Sequence, residues 1–323
     1  MLRVDGDLKP LCETPDSHDD IHQAMMRIMS PAQQATFSQH QECDFAFELA
    51  DGVRFRVNVF EQARGMSVVF RVIPHDVPSL QALHSPAVFS ELIQRPSGLV
   101  LVTGPTGSGK STTVAAMLSA LNQSASKHII TIEDPIEFVH TPQQCLIQQR
   151  EVGVHTHSFT NALRAALRED PDVIVVGELR DLETIRLAIT AAETGHLVLG
   201  TLHTAGAAKT IDRIVDVFSA DEKNMVRSIL SESLNAVISQ VLCKSKEGEG
   251  RVAAYEVMVG TAAVRHLVRE GKVAQLYSVI ETGGAAGMQT LDQSLAHMVK
   301  QGLVDPKEAA SWAKFPDRFA VKR

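Results

Sequence analysis

The run Gly104-Pro105-Thr106-Gly107-Ser108-Gly109-Lys110-Ser111 satisfies every fixed position of the pattern G-x-x-x-x-G-K-[ST]. Glycines at this spacing let backbone N–H groups converge on phosphate oxygens, and the positive end of a following helix adds to the attraction. Lys110 then reaches the outer phosphates and the Ser111 hydroxyl ligates Mg²⁺. The candidate nucleotide-binding residues are therefore Gly104 through Thr112. The flanks give the pattern its meaning. Gly98–Val102 reads as a short buried strand, and Thr112–Leu121 reads as a helix with Val114, Met117, Leu118 and Leu121 on one face. A glycine turn with a chance lysine would lack that setting.

Three further clusters fall at the ends of expected strands, where an open α/β sheet keeps its ligand. The first is Thr131-Ile132-Glu133-Asp134-Pro135-Ile136-Glu137. Carboxylates beside a triphosphate hold Mg²⁺, directly or through its waters, or position an attacking water; an exposed acidic turn is the alternative. The second is Asp172–Asp181, four apolar residues running into Gly177-Glu178. This is a Walker B strand in which glycine replaces the customary aspartate. Glu178 is left as the expected general base, and the metal falls to Ser111, water and either Glu133 or Asp134. The third is Thr194–Thr204, with His196 and His203 bracketing a buried strand. Too far apart to share one metal from one face, they either pack at the strand ends or, following a Walker B strand, read the state of the γ-phosphate or bridge to a neighbour. His155 and His157 form a loose pair with no further ligand nearby and read as solvated loop residues.

These groups must be positioned by a chain of 323 residues, long enough for two domains. Its hydrophobic content of 44% and charged content of 21% are ordinary for a globular protein. A net charge of −7 gives no electrostatic footprint for nucleic acid or an anionic membrane. Cys12, Cys43, Cys145 and Cys243 are scattered, which suggests a reducing compartment and no zinc site. No apolar run is long enough to span a bilayer, so a cytoplasmic location is expected.

Two regions differ in pattern. Residues 1–75 read as a small α+β domain. Ala46–Leu49 and Val53–Phe60 are strands about an Asp51-Gly52 turn, Ser67–Ile73 is a further strand, and the spacing between Asp19 and Ser38 suggests a helix, with Pro31 marking a break. Residues 76–86 form a linker. From 87 to 323, strands at Leu99–Val102, His128–Ile132, Val173–Val176 and Leu197–Thr201 alternate with helices, including Phe159–Arg168 and Leu182–Glu193, which indicates a mainly parallel sheet. A long helix is expected from Ala220 to about Leu242, opened by a Ser219–Glu222 capping box. Lys244–Gly250 reads as a solvated loop, and the tail as largely helical.

In this order the four clusters resemble the Walker A, Asp box, Walker B and His box of the secretion ATPase superfamily. Over nearly its whole length the chain is similar to the type IV pilus retraction ATPases, the PilT type. Leu167–Asp172, Ala191–His196, Thr210-Ile211-Asp212-Arg213 and Gly287–Asp292 add to the resemblance. It implies a RecA-like P-loop NTPase core behind a PAS-like N-terminal domain, ATP and Mg²⁺ as ligands, and a homohexameric ring with sites between domains. It further implies action at the inner face of the cell membrane, through a platform protein, on the pilin of the pilus base. Two arginines of the family's N-terminal domain reach the phosphates; the matching positions are Arg56 and Arg71, with Arg54 on the same strand face as Arg56. The alternative for each is an exposed ion pair of little energetic weight.

Ala263–Glu270 resembles the family's A-I-R-N-L-I-R-E motif, with His266 in place of asparagine. Family members usually carry a further stretch, including an S-D-L-H-L strand, before the point matched by Met1–Asp7. The N-terminal domain is accordingly expected to be incomplete, with an exposed strand edge and a weakened ring. The rival readings are an assembly-type or type II secretion ATPase, an accessory subunit that binds nucleotide without hydrolysing it, and a nucleic-acid translocase. The first normally has a tetracysteine insert that is missing here, the second fits poorly with the intact site residues, and the third is disfavoured by the acidic balance.

Overall fold

The computed structural model describes residues 1–4, 7–11, 17–50, 52–73, 76–248 and 250–320. Asp5, Gly6, Cys12, Asp51, Pro74 and Glu249, each part of a sequence reading above, lie outside them. The chain divides into two units, Met1–Asp76 with Pro135–Phe138, and Val77–Asp134 with Val139–Arg323.

In the first unit, β1 (Leu2–Val4) and β2 (Asp7–Lys9) form an antiparallel ladder. The helical stretch after them is two helices, α1 (His18–Ile28) and α2 (Pro31–His40). Pro31, lacking an N–H, takes the first turn of α2, and Ser17 and Ser30 each close a capping box. Next come β3 (Glu42–Glu48), β4 (Arg54–Gln62) and β5 (Gly65–Ile73), an antiparallel sheet in which Arg56 pairs with Ala46 on one side and Arg71 on the other. Met25 and Met29 share a core with Phe45, Val57, Val59 and Met66 of this sheet.

The second unit opens with α3 (Val88–Leu92) and β6 (Gly98–Thr103), whose six residues are all buried. Then follow α4 (Lys110–Ser124), β7 (His128–Glu133), β8 (Leu146–Glu151), α5 (Phe159–Ala166), β9 (Val173–Val176), α6 (Leu182–Glu193), β10 (Leu197–Leu202) and α7 (Ala207–Asp216). The remainder is α8 (Lys223–Ser233), β11 (Leu234–Lys244), β12 (Arg251–Val259), α9 (Ala262–Arg269), α10 (Leu276–Thr282), α11 (Leu291–Lys300) and α12 (Pro306–Trp312). Seven strands make one sheet in the order β12-β11-β6-β10-β9-β7-β8, parallel except for β12 against β11. The fold is α/β with a mixed, mostly parallel sheet. Its central strands β6, β10 and β9 are buried at every position because helices cover both faces.

The helix expected from Ala220 to Leu242 is not formed. Ser219 Oγ does donate to Glu222 Oε2 (2.9 Å), but α8 begins at Lys223 and ends at Ser233. The chain then enters β11, which pairs with β6 and β12 and is buried at nearly every position. The β-branched Val237, Ile238 and Val241 suit a pleated strand buried on both faces. A second small core, with Val241, Cys243, Leu295, Met298 and Phe319, joins these strands to the C-terminal helices.

Candidate nucleotide site

The loop between β6 and α4 has the backbone that its glycines permit. Gly104, Gly107 and Gly109 lie at φ of 143°, 78° and 86°, which turns successive N–H groups toward one concavity. At Gly104 a Cβ would collide with the Gln240 carbonyl. Gly109 is the N-cap of α4, and no side chain among the described residues caps that helix, so its first N–H groups face the concavity. Lys110 is 8% exposed, and its ammonium donates to the carbonyls of Gly104 (2.9 Å) and Pro105 (3.1 Å). Ser111 and Thr112 complete the first turn of α4. Nest, cation and hydroxyl together suit a polyphosphate with its metal ion.

Parallel register brings the other candidates to this edge. β10 lies between β6 and β9, so Leu202 pairs with Thr103 and His203 emerges beside the phosphate loop. His203 Nδ1 is 3.4 Å from Lys110 Nζ and 3.4 Å from Thr106 Oγ1. Its Nε2 is 3.1 Å from Glu178 Oε1, one residue past Gly177 at the end of β9. Arg180 holds the second oxygen, Oε2, at 2.7 Å. Burial pushes the Glu178 carboxyl upward, but the hydrogen bonds and charges of Arg180 and His203 outweigh it and hold the pKa below the ordinary 4.5. Glu178 is therefore an ionised acceptor, able to orient a water and take its proton.

The structure accounts for glycine in the Walker B strand. Gly177 N donates to the Ile132 carbonyl (2.8 Å), and a Cβ at 177 would stand 3.0 Å from that oxygen and 3.3 Å from Glu133 Cα. An aspartate side chain there would press on the β7 backbone, which would have to yield by a few tenths of an ångström.

The remaining candidates are spread along this edge and beyond it. Glu133 ends β7, three strands from β6, which is about 14 Å at ~4.8 Å per strand. Its Oε1 accepts from Thr131 Oγ1 (2.6 Å) and Gln149 Nε2 (3.0 Å). Asp134 adds its charge to the field at Arg180, on the rim of the site. His196 is at the opposite end of β10: its neighbour Leu197 pairs with Gly98, the first residue of β6, and its Nδ1 lies 3.1 Å from the Ala191 carbonyl. Within the chain it is about 20 Å from the loop by strand length, at the far end of the strand that it and His203 bracket. Arg56 and Arg71 belong to the first unit, where Arg56 pairs with Asp44 at 2.5 Å. Among the described residues no group of three His, Cys, Asp or Glu could hold a metal ion, and no helix is long and apolar enough to cross a membrane.

Two residues escaped the sequence reading. Arg180, four residues past the end of β9, sits in a stretch whose sequence assigns it no role. Gln240 donates through Nε2 to the Ser108 carbonyl (2.6 Å) from β11. A polar pair, Ser239-Gln240, inside an otherwise apolar run was the available signal.

Comparison with known proteins agrees with this geometry. The family model for type II/IV secretion system proteins matches residues 1–246. The type IV pilus retraction ATPase PilT of Pseudomonas aeruginosa is 58% identical over 319 residues, 99% of this chain and 92% of that protein. A twitching motility protein of Neisseria gonorrhoeae is 57% identical over 96% of this chain and 83% of its own length. The crystal structure of the pilus retraction motor PilT with bound ADP superposes with a TM-score of 0.89 at 45% identity, covering 98% of this chain and 90% of that one. With the phosphate loop, the acid-bearing strand and the His203 junction in place, the chain belongs to the type II/IV secretion system protein family and, within it, to the PilT-type pilus retraction ATPases.

Proposed function

We propose that the chain is a motor ATPase that hydrolyses ATP to drive retraction of a type IV pilus, the activity behind twitching motility. The observation that carries this reading is the junction of Lys110, His203 and Glu178 in a chain 58% identical to a retraction ATPase. Lys110 and the loop amides bind the phosphates, His203 senses the γ position, and Glu178 activates the water. Mg²⁺ would be held by phosphate oxygens and Ser111, with Asp134 or a water completing its shell. Bound, the ion supplies charge neutralisation between the β- and γ-phosphates.

The working form is a homohexamer of RecA-like cores, each with its PAS-like domain, in which Arg56 and Arg71 reach phosphates. It acts at the cytoplasmic face of the cell membrane, on pilin through a platform protein, without binding nucleic acid. The test is complementation of a retraction-deficient strain. The chain should restore twitching and Lys110→Ala should not; rescue by both, or by neither while both are folded, overturns the reading.

A further inference from the structure

The phosphate loop is anchored from behind by one side chain. In β11, Ser239 pairs with Thr103, the last residue of β6, and Gln240 follows directly under the loop. The Gln240 side chain is buried, its Nε2 meets the Ser108 carbonyl, and a Cβ at Gly109 would stand 3.2 Å from that nitrogen. Its Oε1 has no hydrogen-bond partner among the described residues. Turning the amide over would set two acceptors face to face, so the donor half is the half the loop uses.

The same ladder holds the other wall of the site. Ser239 Oγ accepts from Gly206 N (2.9 Å). Its cross-strand partner Glu256, also buried, accepts from Ala207 N (2.7 Å) at the positive end of α7. Thr210 Oγ1 donates back to the Gly206 carbonyl (2.9 Å) and lies 2.6 Å from Thr204 Oγ1, and Thr204 follows His203 directly. The loop that carries His203 is thus fixed to Ser239 and Glu256, as the loop that carries Lys110 is fixed to Gln240.

We propose that Ser239, Gln240 and Glu256 are positioning residues for hydrolysis: a polar brace where β11 meets β12, setting the distance between the phosphate loop and His203. Gln240 acts on nucleotide affinity through the loop. Glu256 and Ser239 act on turnover through His203 and hence Glu178. The brace rests on the reading of the loop as the nucleotide site.

The test uses the full chain, with affinity for a fluorescent ADP analogue and steady-state ATPase kinetics. Gln240→Met keeps the volume and removes the donor; the ADP dissociation constant and KM should rise roughly tenfold with kcat within about twofold. Glu256→Ala should lower kcat roughly tenfold and leave ADP affinity within about twofold, and Glu256→Gln, which keeps an acceptor oxygen, should recover most of it. Ser239→Ala, a milder change, should lower kcat in the same direction without altering affinity. Wild-type kinetics in Gln240→Met and Glu256→Ala, or equal losses of kcat and affinity in both alongside a lower thermal midpoint, overturn the brace. Lys110→Ala separates the two readings. Normal ADP binding in that variant refutes the site itself; loss of binding there, with unchanged binding in Gln240→Met, refutes the brace alone.

Discussion

Glu178 and His203 face each other across 3.1 Å, Oε1 to Nε2, while the second imidazole nitrogen lies 3.4 Å from the Lys110 ammonium. One ring thereby links Glu178, the proposed base, to the Lys110 ammonium of the phosphate loop. Glu178→Gln should bind nucleotide normally and lose roughly 10²–10⁴ in kcat. His203→Ala leaves the base in place without its orienter and should lose about 10² in kcat. Single-turnover hydrolysis beside nucleotide affinity checks both; near-normal turnover in Glu178→Gln would remove it as the base.

Arg180 sets the acidity of that base. Burial raises the Glu178 pKa, and the ion pairs with Arg180 and His203 bring it below its ordinary value. In Arg180→Met the carboxyl should titrate higher, so the acid limb of the pH profile of kcat/KM should move to higher pH. The sign is that of a depressed carboxylate: its contribution to stability is present above the unfolded pKa and lost as pH falls through the folded one. An unmoved acid limb would show that another group governs it.

Restoring the customary aspartate should fail. In Gly177→Asp a Cβ must enter the space 3.0 Å from the Ile132 carbonyl, so β9 and β7 would be forced apart. A loss of about 1–3 kcal/mol in urea unfolding is expected, with no gain in activity. Faster hydrolysis in a stable variant would refute the steric account.

His196 is expected to matter for the strand end and not for the phosphates. His196→Ala should leave ADP affinity within about twofold and lower the thermal midpoint by roughly 2–4 °C, through loss of the bond to the Ala191 carbonyl. Loss of ADP binding in the folded variant would contradict its placement.

Cys243 reports on unfolding. Burial, with the nearby Glu308 charge, pushes its thiol up to about 12. At neutral pH it should resist iodoacetamide until the second unit opens, so labelling should follow the denaturation curve. Rapid labelling of the native protein would show that the β11 environment is not closed.

The phosphate loop, β9 and α6 were legible because each carries a local signal: a fixed glycine spacing, a short apolar run ending in an acid, and an Asp181 N-cap. β11 was not. Leu230, Leu234, Val237 and Val241 fit a helical period by coincidence, and a strand buried on both faces has no alternation to correct it. β8 was missed for the opposite reason: Gln148, Gln149 and Arg150 on the sheet's edge dilute its apolar content. Register explains the rest. That His203 stands beside Thr106 and Lys110 follows from β10 pairing with β6, a long-range choice the local sequence does not encode.

The close seat of Gly177 also bears on how such a site can change over generations. Glycine reaches an acidic residue by one base change, to aspartate or glutamate depending on the codon. Its steric partner is the backbone of β7, which no side-chain replacement at Ile132 or Glu133 can trim. Regaining the acid therefore asks the β7 backbone to yield by a few tenths of an ångström, a cost set by the main chain and not by its side chains. The resistance to a second acid at this strand end thus lies in main-chain geometry, where side-chain substitution gives little relief.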